Sequence, residues 1–255
     1  MSSSRDSLGD RMKRYEGVGK TRLTPRLPMV IRADGKAFHT LTRDMKRPFD
    51  PEFVEHMIAV ATELCREIDG AQMAYVQSDE ISVLVRDDQT FDTQAWFDKE
   101  LDKTVSVSAG IASAELSLRL GRRAVFDARD FILPPAEVTN YFVWRQQDAT
   151  RNSVSMAAHA ELGKTLGAKE AQALLHGKTW GQQQELLFSH CQINWSRDYA
   201  THLKRGACIV PAAEERTGQN GPVTRQVWTA DREIPVFTSE RNYIERFLLT
   251  NEAVN

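Results

Sequence analysis

The chain has 255 residues, of which 41% are hydrophobic and 27% are charged. This composition is ordinary for a globular protein and excludes a wholly disordered chain, a collagen and a coiled coil. No stretch approaches the roughly 20 consecutive apolar residues that a membrane helix needs, and the N-terminal segment lacks the apolar core of a secretory signal. The cysteines form no CxxC pair, which predicts neither a zinc site nor a disulfide framework: they are Cys65, Cys191 and Cys208. We therefore expect a cytoplasmic protein with reduced thiols and no membrane partner.

Charge is distributed unevenly along the chain, although the net charge is only −2. Residues 1–47 hold 12 Lys and Arg against 5 Asp and Glu, whereas the remainder holds 21 against 30. A basic N-terminal arm in front of an acidic body is typical of a protein that contacts a polyanion at one place. A solvated arm with no partner has the same charge pattern, so charge alone leaves both interpretations open.

The first 135 residues alternate between strand and helix patterns. Asp50 and Pro51 mark the start of one helix and Gly70 its end. A second helix covers about 94–120 and ends at Gly121. Strands are predicted over four segments, the middle two joined by the tight Ser78–Glu80 connection: 28–34, 71–77, 81–86 and 126–133.

The element order β-α-β-β-α-β is that of the split βαβ or ferredoxin-like unit, which predicts an α+β fold with a first domain over 1–135. The second predicted domain, 136–255, is helical over about 136–212. A small β excursion follows (RGACIV and QVWTADREIPVF) with a glycine-rich link at 218–221, and a tail covers 248–255.

The topology predicts where carboxylates converge. In the sheet order 4-1-3-2 the end of the first strand, Asp34, lies beside the start of the third, Asp79 and Glu80, and Gly35 allows close approach of a ligand. Crowded carboxylates repel one another unless a cation neutralises them. Oxygen ligands of this kind suit Mg²⁺, and paired ions are the usual arrangement for displacement at phosphorus. Asp-Gly and Ser-Asp are also common turn residues, so each carboxylate taken singly has a structural alternative.

Several weaker features point to phosphate or nucleotide recognition. The turn from Gly35 to His39 offers backbone N–H groups to an anion, although His39 alone is more often structural. Lys46 and Arg47 lie in a loop, and Lys99 and Lys103 share one helix face by their i, i+4 spacing. Residues 144–153, WRQQDATRNS, carry many hydrogen-bonding side chains that either face solvent or contact a polar end group such as a nucleotide terminus.

Three strings in this order resemble the tRNA(His) guanylyltransferase superfamily: RADGKAFHTL, AYVQSDEISVLV and WRQQDATRNS. The resemblance is closer to the guanylyltransferase-like branch of 3′-to-5′ RNA polymerases, and it extends from about residue 10 to residue 210. It implies a palm-like catalytic core, in agreement with the predicted element order.

The resemblance also implies roles for individual residues. Asp34, Asp79 and the backbone carbonyl of Gly35 bind two Mg²⁺ ions, and Glu80 joins Asp34 and Asp79 as a catalytic carboxylate. The residues implied to surround the incoming nucleotide are Asp34, Gly35, Lys36, Ala37, Phe38, His39, Ser78, Asp79, Lys99 and Lys103. Those expected to contact tRNA are Arg145, Arg151 and Asn152.

One departure from the family pattern bears on the substrate. The eukaryotic enzymes carry a His-Ile-Asn-Asn element where this chain has residues 150–153, Thr-Arg-Asn-Ser, so only Asn152 is kept. This favours templated repair of 5′-truncated tRNA over guanosine addition specific to tRNA(His), which stays the alternative. The implied partners are tRNA, GTP, ATP and other nucleoside triphosphates, together with further copies of this chain in a dimer or tetramer.

Two other classes of protein share this topology. A palm-type nucleotide cyclase uses the same metal chemistry without RNA, but it has no need of a polar helical region such as 136–212. A non-catalytic RNA-binding module stacks bases on aromatic residues of its first and third strands. The segments 28–34 and 81–86 contain no aromatic residue, which counts against that class.

Overall fold

The computed structural model describes residues 7–218 and 221–249. The part of the predicted tail beyond 249 and positions 219–220 of the predicted glycine-rich link lie outside these ranges. In the described residues, no helix is both long enough and apolar enough to cross a membrane.

A six-stranded antiparallel sheet forms the centre of the described structure, in the order β4-β1-β3-β2-β5-β6. The α+β class and the 4-1-3-2 order predicted for the first four strands are confirmed. The strands are β1 (Met29–Gly35), β2 (Ala71–Gln77), β3 (Glu80–Val85), β4 (Phe126–Ile132), β5 (Ala207–Gly218) and β6 (Gly221–Asp231).

Helices cover both faces and extend beyond one end of the sheet. Those before β4 are α1 (Leu8–Gly17), α2 (Phe38–Leu41), α3 (Pro51–Glu67) and α4 (Leu101–Leu120). Those after it are α5 (Pro135–Leu166), α6 (Ala168–Leu175), α7 (Trp180–Cys191), α8 (Trp195–Asp198), α9 (Thr201–Arg205) and α10 (Asn242–Glu245).

Helix α3 begins as predicted. The carboxylate of Asp50 accepts hydrogen bonds from the backbone N–H groups of Glu52 and Phe53 at 3.0 and 3.1 Å, and Pro51 takes the first helical position. Its apolar side packs with α4 on one face of the sheet. Helix α5 and the segment after β6 pack on the other face.

Two predicted boundaries are wrong. Helix α4 begins at Leu101 rather than near 94, because a short 3₁₀ turn at Trp96–Lys99 has left-handed backbone from Phe97 to Lys99. The helical region after α5 ends at Arg205 rather than 212. Ala207 pairs with Val76 of β2, so β5 and β6 extend the main sheet instead of forming a separate excursion.

Candidate active site

The ends of three neighbouring strands place carboxylates in one row. Asp34 of β1 lies directly opposite Glu80 of β3 on one side and opposite Asp127 of β4 on the other. Directly opposed residues of antiparallel strands point to the same face, so these three side chains share the face covered by α5. The backbone N–H of Gly35 donates to the carbonyl oxygen of Asp79 at 3.1 Å. The predicted meeting of Asp34 with Asp79 and Glu80 is therefore present.

The turn after β1 depends on a glycine and a buried phenylalanine. A Cβ on Gly35 would lie 2.5 Å from the ring of Phe38, so only glycine allows this packing. The Phe38 ring contacts Phe126 and Phe53 in the core, with centroids 5.0 and 6.2 Å away. Phe38 therefore packs in the core and does not lie on the nucleotide-binding surface that the sequence predicts. Lys36, Ala37 and His39 are exposed.

Part of the predicted anion-binding turn is already occupied by the protein. The N–H of Lys36 donates to the carbonyl of Val125 at 2.8 Å, and the N–H of Gly35 is used by Asp79. Two of the expected backbone donors therefore bind neighbouring strands, because the end of β1 stays inside the sheet.

The carboxyl group of Asp79 has a raised pKa. Burial raises the pKa of its carboxyl group, the negative charge of Asp34 raises it further, and hydrogen bonds from Ser78 and its own backbone oppose these effects. Ser78 has left-handed backbone (φ 50°) in the turn that presents Asp79. Two neighbouring carboxylates of this kind favour a cation between them.

Glu80 is held by an arginine from α5. Arg145 donates to both carboxylate oxygens of Glu80 at 2.7 Å, and each residue is only 6% exposed. Burial raises the pKa of Glu80 and the charge of Arg145 opposes that rise. Arg145 also donates to Asp148 at 3.1 Å, and exposed Arg151 donates to the other Asp148 oxygen at 3.1 Å. Arg145 therefore lies inside the protein and not on the surface expected for a tRNA contact, because it compensates the buried Glu80.

The Glu80–Arg145 pair affects which oxygen atoms at these strand ends are free to bind a metal ion. Within 7–218 and 221–249, no group of three or more His, Cys, Asp or Glu side chains is arranged to hold a metal ion. Glu80 is directed to Arg145, while Asp34, Asp79, Asp127 and the carbonyl of Gly35 supply the other oxygen atoms at these strand ends.

A concave cleft opens on the β2 side of these carboxylates. It is formed by the loop before α3, by α3 itself, by the end of β2, by α5 and by the α9 segment. Its walls include Met45, Lys46, Arg47, Ser78, Asn152 and His202. A cleft with apolar walls and a few convergent polar groups is the usual form of a small-molecule site.

Comparisons with known proteins identify the family. The model for tRNAHis guanylyltransferase matches residues 9–134, and the model described as Thg1 C terminal domain matches residues 136–244. A bacterial tRNA(His) guanylyltransferase-like protein, solved in complex with ATP, is 38% identical over 95% of this chain and 99% of that one, with a TM-score of 0.82. The chain belongs to the tRNA(His) guanylyltransferase family. It is a nucleotidyltransferase by that membership, as the sequence motifs predicted.

Other members of the guanylyltransferase family agree with this assignment. A bacterial tRNA(His) guanylyltransferase-like protein in complex with GTP is also 38% identical, with a TM-score of 0.78. The probable tRNA(His) guanylyltransferase of Drosophila melanogaster is 30% identical over 195 residues, which make up 71% of this chain and 66% of that relative. The match thus spans about two thirds of the fly protein.

The structure does not bring the two lysines expected from the family resemblance to the carboxylates. Lys99 is buried beyond the far end of β3, where its ammonium group donates to Asp87 at 2.8 Å and to the carbonyl of Leu27 at 2.8 Å. Lys103 is exposed in the first turn of α4. The same helix reaches the start of β4 only at Ser113, which accepts from the N–H of Phe126. At 1.5 Å per residue, Lys103 therefore lies about 15 Å further along the helix axis.

Asp127 and most of the cleft are not among the residues that the sequence predicts for the site. The predicted sheet order does place the start of β4 beside the end of β1, which is the position of Asp127. Met45 and His202 carry no local signal, since the cleft is assembled from segments far apart in the chain. Asn152, predicted as a tRNA contact, is exposed and lines this cleft.

Proposed function

We propose that this protein adds nucleotides to the 5′ end of tRNA in the 3′-to-5′ direction, as templated repair of 5′-truncated tRNA. The observation that carries the proposal is the pair Asp34 and Asp79 at the sheet edge, with a concave cleft opening at Ser78 beside them. Relatives that are 38% identical were solved with ATP and with GTP, which supports a nucleoside triphosphate as the ligand of the cleft.

We assign two Mg²⁺ ions to Asp34, Asp79 and the carbonyl of Gly35. These residues fit such ions because burial and the charge of Asp34 raise the pKa of Asp79. A bound cation would reduce the repulsion between the two carboxylates. Mg²⁺ commonly takes its remaining oxygens from water and substrate phosphates, which agrees with a site of few protein ligands. When bound, such ions lower the pKa of an attacking hydroxyl and neutralise charge on the leaving group.

The residues of the cleft position the nucleotide. Exposed Lys46 and Arg47 on its wall supply positive charge to a triphosphate, and Ser78 links the cleft to Asp79. The 3′-hydroxyl oxygen of the incoming nucleotide forms a bond to the α-phosphorus of a 5′-triphosphorylated or 5′-adenylylated RNA. The bond to pyrophosphate or AMP breaks, and the hydroxyl proton is released to water. No side-chain nucleophile is needed for this step. Burial raises the pKa of the Cys65 and Cys208 thiols, which keeps both protonated.

Guanosine addition to tRNA(His) is the second candidate, because homologues carry that name. The segment 150–153 counts against it. Thr150 donates to the carbonyl of Gln146 at 2.9 Å and Ser153 donates to the carbonyl of Lys204 at 2.9 Å. Both hydroxyl groups thus bind the protein's own backbone, while Arg151, which also donates to Asp148, and Asn152 are exposed to a substrate.

The proposal includes self-association and a cytoplasmic location. Leu8, Met12 and Tyr15 recur at helical spacing on α1 and are exposed, and an apolar face of this kind supports contact with a second copy in a dimer or tetramer. Light scattering at micromolar protein tests this, since a monomeric mass would remove it. Three free cysteines, two of them buried, support a reducing compartment.

The decisive experiment uses a 5′-triphosphorylated tRNA that lacks its first nucleotide. Each of the four nucleoside triphosphates is supplied singly with Mg²⁺, and the opposite base of the acceptor stem is then changed. We expect addition of the complementary nucleotide, following the changed base, and no addition by the Asp79→Asn protein. Guanosine addition whatever the opposite base would favour the tRNA(His) reaction. A cyclic product from the triphosphate alone would identify a cyclase.

A further inference from the structure

A second charged surface lies on the β4 side of the carboxylates, away from the cleft. One step further along the same sheet face, Arg129 of β4 stands directly opposite Arg32 of β1. The Arg129 side chain is 54% exposed and lies 3.4 Å from Asp127, whereas Arg32 is mostly covered and lies 3.6 Å from Asp34. An accessible guanidinium group therefore adjoins the carboxylate row at the edge of the sheet.

An exposed tryptophan of α5, Trp144, is connected to β4 through the ring of Tyr141. The Trp144 ring is 5.9 Å from the ring of Tyr141, which is 5.4 Å from Phe131 of β4. Phe131 and Arg129 are two positions apart on one strand and so point to the same face. Trp144 also stacks against the guanidinium of Arg145 at 4.5 Å, yet the residue stays 49% exposed. A flat, half-exposed aromatic ring thus lies beside the Glu80–Arg145 pair.

The position of this surface indicates which kind of ligand it binds. A transfer reaction at Asp34 and Asp79 joins two substrates, and the cleft on the β2 side is assembled from α3, β2, α5 and the α9 segment. The second substrate has to approach from another direction, and the β4 side offers an aromatic ring and a cation together. Aromatic rings stack on bases regardless of their identity, and arginine binds phosphate. The pair matches the end of an RNA strand better than it matches a protein partner.

We propose that Trp144 and Arg129 form the subsite for the 5′-terminal nucleotide of the RNA substrate. Trp144 stacks on the terminal base, and Arg129 binds a phosphate of the same strand. This assignment rests on the proposed function, since it takes Asp34 and Asp79 as the place where the RNA end reacts.

The test compares Trp144→Ala and Trp144→Phe with Trp180→Ala, a change at the start of α7 that removes a tryptophan of similar exposure, 51%. Binding of fluorescently labelled 5′-truncated tRNA is measured without nucleoside triphosphate, and KM for RNA and for triphosphate is measured separately. Loss of a stacking contact weakens RNA binding about tenfold. We expect that loss in Trp144→Ala, largely restored in Trp144→Phe and absent in Trp180→Ala, with KM for the triphosphate unchanged.

Arg129→Gln gives a second, independent readout. Removal of one phosphate contact lowers the slope of log affinity against log salt concentration by about one, whereas removal of a stacking contact leaves that slope unchanged. We expect the lower slope in Arg129→Gln and the wild-type slope in Trp144→Ala.

The outcomes separate this inference from the proposed function. Wild-type protein that binds RNA but adds no nucleotide overturns the proposed function, while weaker binding by Trp144→Ala still supports the subsite. Active Trp144→Ala protein with wild-type RNA affinity overturns the subsite alone. A reduced molecular mass of Trp144→Ala by light scattering also overturns it, because the ring would then belong to a contact between copies.

Discussion

The two ends of β3 each adjoin a buried ion pair, and the pairs differ in what surrounds them. Beyond the far end, Lys99 and Asp87 are 1% and 4% exposed, and the ammonium group also donates to the carbonyls of Thr24 and Leu27. All three N–H donors of the Lys99 ammonium group are therefore used, and they connect the loop before β1 to the end of β3. At the near end, Glu80 and Arg145 are equally well hydrogen-bonded, but their neighbours are further carboxylates.

This difference separates a structural pair from a pair that serves a site. Removal of one partner of a buried pair is costly at either end, because the other charge stays buried. At the near end, burial and the charge of Asp34 raise the pKa of Asp79, a carboxylate beside the pair. Arg32 lies 3.6 Å from Asp34 and 3.8 Å from Glu80, yet the pKa of Asp79 is still raised. Active sites commonly keep such groups at a cost in stability.

The largest effect is expected at Asp79. We expect Asp79→Asn to lose nucleotide addition by a factor of about a thousand or more, on the scale of removing an essential electrostatic group. Because burial and Asp34 raise the pKa of Asp79 in the folded protein, its ionisation costs stability above that pKa. Asp79→Asn is therefore expected to melt at a higher temperature than the wild type at neutral pH in EDTA. Mg²⁺ with nucleotide should raise the wild-type Tm and leave that of the variant unchanged.

Lys99→Met tests the structural pair. The change leaves Asp87 buried without its cation, so we expect the free energy of unfolding in urea to fall by about 3–5 kcal/mol. The double variant Lys99→Met/Asp87→Leu should recover most of this loss. Nucleotide addition per folded molecule is expected to stay at the wild-type level. A specific rise in KM for the triphosphate would instead restore the nucleotide contact that the sequence predicted for Lys99.

Arg145→Lys tests the pair at the site. Lysine keeps the charge but cannot hold both Glu80 oxygens in the flat geometry of a guanidinium. Loss of a residue that orients a metal site commonly reduces activity about 10–100-fold, and we expect a fall in kcat of that size with a higher Mg²⁺ requirement. If kcat held while RNA affinity fell, Arg145 would act on tRNA as first predicted.

Asp130 carries another buried carboxylate. Burial raises its pKa to about 6, and the hydroxyl group of Thr104 opposes that rise. Since the folded pKa lies above the unfolded value of 3.8, its destabilising effect is absent below that value and grows as pH rises through about 6. Asp130→Asn should therefore raise Tm by a few degrees at about pH 8 and by less at about pH 5. An equal gain at both pH values would contradict this assignment.

Local patterns were enough to predict the first four strands of the sheet and the central carboxylates, but not the addition of β5 and β6 to the same sheet. Asp34 and Asp79 end and begin neighbouring strands, so topology alone brings them together. The ion-pair partners of charged residues could not be predicted from local sequence patterns. Arg145 is 65 residues from Glu80, and the left-handed backbone before α4 goes with the contact of Lys99 to a loop about 75 residues away. The i, i+4 spacing of Lys99 and Lys103 predicts a shared helix face. Lys99 instead lies before the start of α4, where it makes the tertiary contacts described above.

The most direct test of the central claim is a change of metal specificity at Asp79. Asp79→Cys replaces a hard oxygen ligand by a thiolate, which binds Mg²⁺ poorly and thiophilic ions such as Cd²⁺ well. Single-turnover nucleotide addition to 5′-truncated tRNA is measured for wild type and variant in each metal. We expect no addition by Asp79→Cys with Mg²⁺ and partial recovery when Cd²⁺ is added. Wild-type activity of Asp79→Cys with Mg²⁺ alone would contradict it.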